Sequence, residues 1–256
     1  MHSDIAPEFW MTRARLFQLR FTLSASVLLL AFVVVRLLWY PSGYFQIFGA
    51  GKLFLMLAAV VLVVGSGLST LIFIPGKKGL KFDLIVLACI EIAVLGWGMY
   101  EIHERRPIYA VYAVDRFEAV SAAEVDLGQL QFPDLAARPG HEPRLVYAEM
   151  PTDVDELNQL IDETVFMGMA DIDRRPEFWR PYPQGLAVLK ASARPLATLL
   201  AGGDTNADVI QRWLDRRSAS ADDFLYLPIQ GSRSDGTIIL HADIGYPVDV
   251  LAIEIW

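Results

Sequence analysis

The chain has 256 residues, of which 54% are hydrophobic and 20% charged, and its mean hydropathy is +0.36. Charge divides it: residues 1–106 hold 10 Lys and Arg against 6 Asp and Glu, whereas residues 107–256 hold 12 against 24. An acidic second part excludes a nucleic-acid reader and disfavours anionic lipid surfaces, and the single cysteine, Cys89, excludes an intramolecular disulfide or a CxxC metal site.

Three apolar segments lie in the first part, at about 16–39, 53–74 and 84–102. Each is long enough to cross roughly 30 Å of hydrocarbon at about 1.5 Å per helical residue. Arg36, Leu37, Leu38, Trp39 and Tyr40 stand where a signal-peptide cleavage site would need small residues, so the first helix is expected to be retained. Arg20 and Arg36 bracket its core and are expected to extend toward the nearer headgroups. Pro41, Ser42 and Gly43 turn the chain after an aromatic belt of Trp39 and Tyr40.

Between the second and third segments stands PGKKGLKFD, positions 75–83, in which Pro75 and Gly76 are expected to stop one helix. Arg13, Arg15, Arg20, Lys77, Lys78 and Lys81 fall on one side of a three-span topology, with Lys52 alone in the opposite short loop. The positive-inside bias therefore places the N-terminus and PGKKGLKFD in the cytoplasm and residues 107–256 outside.

Counting inward from that turn puts Ser66 and Glu91 level, roughly 12 to 14 Å deep. Gly65 and Ser69 form a small-xxx-small pair beside them, and Ser66 and Thr70 can offer hydroxyls to a neighbour. A carboxyl in hydrocarbon is costly, so Glu91 is expected to be protonated and hydrogen-bonded against this seam. It is either a rivet between the second and third spans or a notch for a client's transmembrane helix.

The second part reads as a small α+β domain with an antiparallel C-terminal sheet. Strands are expected at Ile108–Val114, Phe117–Val120 and Leu145–Ala148, and at Phe224–Ile229, Thr237–Ala242 and Val248–Ile255. Ser121 and Glu124 have capping-box spacing before a short helix at Ala122–Leu130. Thr152 opens a helix whose Leu157, Leu160, Ile161 and Thr164 form one buried face through Met167. A helix at Leu186–Leu200 should kink or split at Pro195, and Asn206 should cap a helix at Ala207–Arg217.

Catalytic constellations are poor: His2, His103, His141 and His241 are scattered, and no Walker loop or GxSxG elbow occurs. Asp171-Ile172-Asp173 beside Arg174 and Arg175 suggests a salt-linked turn more than a metal motif, and Asp204, Asn206 and Asp208 lack the glycine of a calcium loop. No enzyme activity, cofactor or metal is expected. Arg116 and Phe117, with Trp179 and Tyr182, are candidates for a contact surface, since such residue types anchor interfaces; packing in a small core is the competing reading.

WYP at 39–41, PGKKGLKFD, the Arg106-Pro107 pair before a strand ending in Asp115-Arg116-Phe117, WRPY at 179–182, LPIQGSR at 227–233 and the final Trp256 together resemble the type IV pilin accessory proteins of the TfpX and TfpZ kind. That resemblance implies a multi-pass protein of the bacterial inner membrane with a periplasmic domain. It implies a non-enzymatic chaperone or assembly factor whose partner is the major pilin, with other pilus-assembly membrane proteins as further partners. On this reading Gly65, Ser66, Ser69 and Glu91 would meet the pilin helix, and Arg116, Phe117, Trp179 and Tyr182 its head. A membrane-anchored sensor or ligand-binding module is the alternative.

Overall fold

In the computed structural model, which describes residues 13–74, 77–136, 142–202 and 205–255, three helices are long and apolar enough to cross a membrane: Arg13–Trp39, Ala50–Ile72 and Leu80–Glu104. Helices form there because every backbone polar group is satisfied within the segment, which hydrocarbon requires. Pro75, Gly76, His2, His141, Gly203, Asp204 and Trp256 lie outside the described residues. At the described end of the PGKKGLKFD turn, Lys77 Nζ pairs with Asp83 Oδ2 at 2.7 Å and Gly79 takes φ +89°.

The chain divides into two compact units, one of residues 1–35 and 51–103, the other of 36–50 and 104–256. Residues 36–50, assigned from sequence to the membrane part, thus belong with the second unit. Tyr40, Tyr44, Ile47 and Phe48 are buried there, Gly43 N donates to Val250 O at 2.9 Å, and the amides of Arg233 and Ser234 both donate to Ile47 O. Gly43 and Gly231 permit the approach: a Cβ on Gly43 would strike the Val250 carbonyl, and one on Gly231 would lie 2.6 Å from Ile47 O.

In the first unit, Leu16, Ser24, Leu28 and Val35 form one buried line on the first span, while Leu19, Leu23, Leu29 and Leu30 point away from protein. Phe32 and Phe54 meet edge to face at 5.4 Å. Leu57 packs against Gly98 so closely that a Cβ there would collide with it. The second span is interrupted by a π-helical turn, Val63–Leu68, at Gly65 and Gly67.

The second unit is an α+β domain built on one mixed sheet. Its strands are β1 (Pro107–Ala113), β2 (Arg116–Ser121), β3 (Arg144–Ala148), β4 (Trp179–Pro181), β5 (Arg194–Pro195), β6 (Phe224–Gln230), β7 (Asp235–His241) and β8 (Pro247–Leu251). The order is β4-β3-β1-β2-β6-β7-β8, with β5 paired to β6. β1 and β2 form a hairpin at the centre, and both its outer neighbours, β3 and β6, run parallel to it. The last three strands pair antiparallel in sequence order, as the alternation led one to expect, but as part of one mixed sheet. Long connections through helices make the parallel pairings possible, and strand alternation alone cannot reveal them.

Several local expectations change for identifiable reasons. The Ser121–Glu124 capping box is present, but its helix is one turn, Ala122–Glu124, because Val125 is extended and Asp126 caps a separate turn by accepting from Gly128 N. Asp153, not Thr152, caps Val154–Val165, its carboxylate accepting from Asp155 N and Glu156 N. Pro195 splits the expected long helix: Leu186–Ser192 ends, Arg194–Pro195 joins the sheet, and Ala197–Leu200 follows. The next helix starts at Thr205, and Asn206 donates to Glu254 O at 2.9 Å instead of capping.

Candidate functional site

The intramembrane cluster is built from all three spans. Gly65, Ser66 and Ser69 are buried on the second span, and Glu91 of the third span lies against Gly65, where an added Cβ would collide with its carboxyl. Glu91 is therefore level with the Gly65–Ser69 seam, as residue counting placed it. Its partners come from the first span, which that counting did not reach. Ser24 Oγ donates to Glu91 Oε1 at 2.5 Å, and an Arg20 guanidinium nitrogen is 3.8 Å from Oε2.

Arg20 consequently corrects two expectations. It turns to the carboxylate and to Leu84 O, at 3.1 Å, instead of extending toward headgroups. It also stands beside Glu91, whose polar partners therefore come from the first span and not from the Gly65–Ser69 seam. The physical reason is that low dielectric strengthens attraction between opposite charges and penalises either alone. The signal was present in the sequence as a cation and a carboxylate in separate apolar runs, but their pairing needed the packing of helices one and three.

Ser66 and Thr70 do not offer their hydroxyls to a neighbour. Ser66 Oγ donates to Leu62 O at 2.6 Å and Thr70 Oγ1 to Ser66 O at 2.7 Å, the backward bonding that bends helices, here around the π-helical turn. Ser69 Oγ is buried without a hydrogen-bond partner among the described residues. The first span covers this face, with Ser24 only 4% exposed. An open apolar groove of about 540 Å³ on this unit is lined by Met56, Val60, Ala93, Val94, Trp97 and Gly98.

In the domain, Phe117, Trp179 and Tyr182 are core residues and not the surface offered for them above. Phe117 and Trp179 are fully buried; Trp179 packs on Tyr109 with ring centroids 4.7 Å apart, and Phe117 lies between Tyr112 and Tyr182. The Tyr182 hydroxyl donates to Gly245 O at 2.6 Å, and burial pushes its pKa up. Large aromatic side chains release the most apolar area when they fill the two faces of a sheet, so burial prevails over interface use.

Arg116 is half-exposed and locked in a charge cluster. Its Nε donates to Glu118 Oε1 at 2.7 Å, and Arg174 reaches Glu118, Glu124 and Asp173. Burial raises the pKa of Glu118 against the pull of Arg116, and burial likewise raises that of Asp173. Asp171 caps the turn by accepting from Ile172 N at 2.8 Å. The DxD is thus the salt-linked turn expected of it.

A cleft of about 520 Å³ beside the Val154–Val165 helix contains Arg175 and Arg180. Arg175 is paired with Glu163 and Glu177, and Arg180 with Glu149, so the cations there already have carboxylates.

The chain is similar to fimbrial assembly proteins. Those of Dichelobacter nodosus serogroups I and E1 are each 25% identical over 250 residues, covering 94% of this chain and 96% of theirs. The serogroup C1 and C2 protein of that organism is 28% identical over 119 residues, 46% of this chain and 91% of its own. No family model and no solved structure matches the chain. Since the longer matches cover 94% of the sequence, they take in the apolar spans and the α+β domain together.

Proposed function

We propose that the protein is a non-enzymatic accessory factor of the TfpX and TfpZ kind, which assists a type IV pilin before or during pilus assembly. The observation that carries this reading is the full-length similarity to fimbrial assembly proteins, spanning membrane helices and domain alike. The reading locates the protein in the bacterial inner membrane, with the N-terminus in the cytoplasm and residues 107–256 in the periplasm. Lys77, Lys78 and Lys81 on one side support it through the positive-inside bias. The docking of residues 36–50 into the domain agrees with the three-span count, because two spans separate that loop from residues 107–256 and leave both on one side.

The Arg20–Ser24–Glu91 cluster serves as the rivet of the three-helix unit in this account, since the first span covers the seam. A pilin helix would then meet the open groove around Trp97 and Gly98. The competing sensor reading would use the cleft beside Arg175 and Arg180, whose charges are already balanced internally.

The test is deletion of the gene in a piliated strain, with complementation in trans. Pilin level or surface pili should fall and be restored by the complementing copy. Unchanged pili in a strain that normally makes the protein would sink the proposal.

A further inference from the structure

The Val154–Val165 helix has an apolar arc wider than the domain covers. At about 100° per residue, Leu160, Thr164 and Leu157 occupy one half of that arc and Ile161, Val154 and Val165 the other. In the first half Leu160, 5% exposed, packs in the core with Val146, Ile172 and Trp179, and Leu157 and Thr164 are half-buried. The second half projects into solvent: Ile161, expected from its spacing to be buried, is 47% exposed, and Val154 and Val165 are 67% and 66% exposed. The chain continues the surface past the helix end with Phe166, Met167 and Met169, the first two 79% and 71% exposed. Apolar side chains of this size gain by leaving water, so a contiguous set of six differs from singly scattered exposed residues.

The charge around the patch selects its occupant. Between positions 150 and 173 there are seven acidic residues and no Lys or Arg; Arg174 and Arg175 pair with Asp173 and Glu163, and the remaining charge is that of Asp153, Asp155, Glu156, Asp162 and Asp171. Asp155 and Asp162, seven apart, line the edge of the exposed arc, and both are exposed. This field repels nucleic acid and anionic lipid and favours a basic surface. Methionine and phenylalanine next to a glycine in the left-handed region, Gly168 at φ +69°, supply the adaptable apolar contact such a surface needs.

We infer that the Val154–Met169 surface docks a protein partner whose apolar side chains are ringed by Lys and Arg. The inference stands whether or not that partner is a pilus component. It is tested on the full chain in nanodiscs of zwitterionic lipid, with empty nanodiscs as control. The probes are two fluorescent amphipathic helical peptides of leucine with lysine or leucine with glutamate, read by anisotropy.

The lysine peptide should bind and weaken with salt, while the glutamate peptide should not bind. Affinity should drop about ten-fold or more in Phe166→Ser/Met167→Ser, the scale of a lost interface anchor. It should also drop in Asp155→Asn/Asp162→Asn, a pair that leaves the apolar set intact. Equal affinity for both peptides, or retention of lysine-peptide binding in both double variants, overturns the inference. So does Phe166- and Met167-dependent binding of zwitterionic vesicles with no response to the lysine peptide, which would make the patch a lipid contact.

Discussion

At the scale of the residue, Gly65 and Glu91 define one another. The carboxyl occupies the space a side chain at Gly65 would need, and Ser24 and Arg20 hold it there. Gly65→Ala should therefore destabilise the helical unit by about 1 to 3 kcal/mol through overpacking, as measured by unfolding in detergent. Adding Glu91→Asp should recover part of the loss by withdrawing the carboxyl. Gly67→Ala is the control: its Cβ meets nothing within 4 Å and should leave stability unchanged or slightly raised. Equal losses at both glycines would show that the π-helical turn, and not the carboxyl, sets the requirement.

At the scale of the element, the 36–50 segment acts as a strap along β7 and β8. Gly43 N caps the edge of β8 at Val250 O, and Ile47 fills the space left by Gly231 and Gly236. An edge strand with unpaired backbone groups is a template for association, and covering it removes that hazard. Burial raises the pKa of the Tyr44 hydroxyl. Gly43→Val should detach it, costing about 1 to 3 kcal/mol and making residues 41–49 newly sensitive to limited proteolysis. A proteolysis pattern identical to wild type would refute the role. The segment read as a simple turn in sequence because Pro41, Ser42 and Gly43 carry a turn signature, while its partners lie some 200 residues away.

At the scale of the whole molecule, an acidic domain buries two of its carboxyls, Glu118 and Asp173, at raised pKa. A raised folded pKa means the folded state binds these protons more tightly than the unfolded chain. Stability from this source grows as pH falls toward the raised values and levels off near the unfolded carboxylate value of about 4. The difference in melting temperature between wild type and Asp173→Asn should therefore increase as pH is lowered from about 7 to about 5. A difference that shrinks on acidification would mean that the Arg174 pairing outweighs burial.

Much of this architecture was legible from the chain alone. Three apolar runs and the lysine-rich turn determine the spans, because hydrocarbon admits helices of that length and the cost of misplacing charge is large. β-branched and aromatic runs, with alternation in the last three, likewise marked six of the strands, and depth counting brought Glu91 to the Gly65–Ser69 seam. Three things were decided by tertiary structure: which face of each helix is covered, which strands run parallel, and which distant groups pair. Arg20 meets Glu91 and Ile47 meets Gly231 only when separate segments pack, so no local pattern contains them. Phe117, Trp179 and Tyr182 look the same in sequence whether they anchor an interface or fill a core. Ile161 and Val165 look like core and are left outside, because periodicity reports the width of an apolar face and only packing decides how much of it the fold covers.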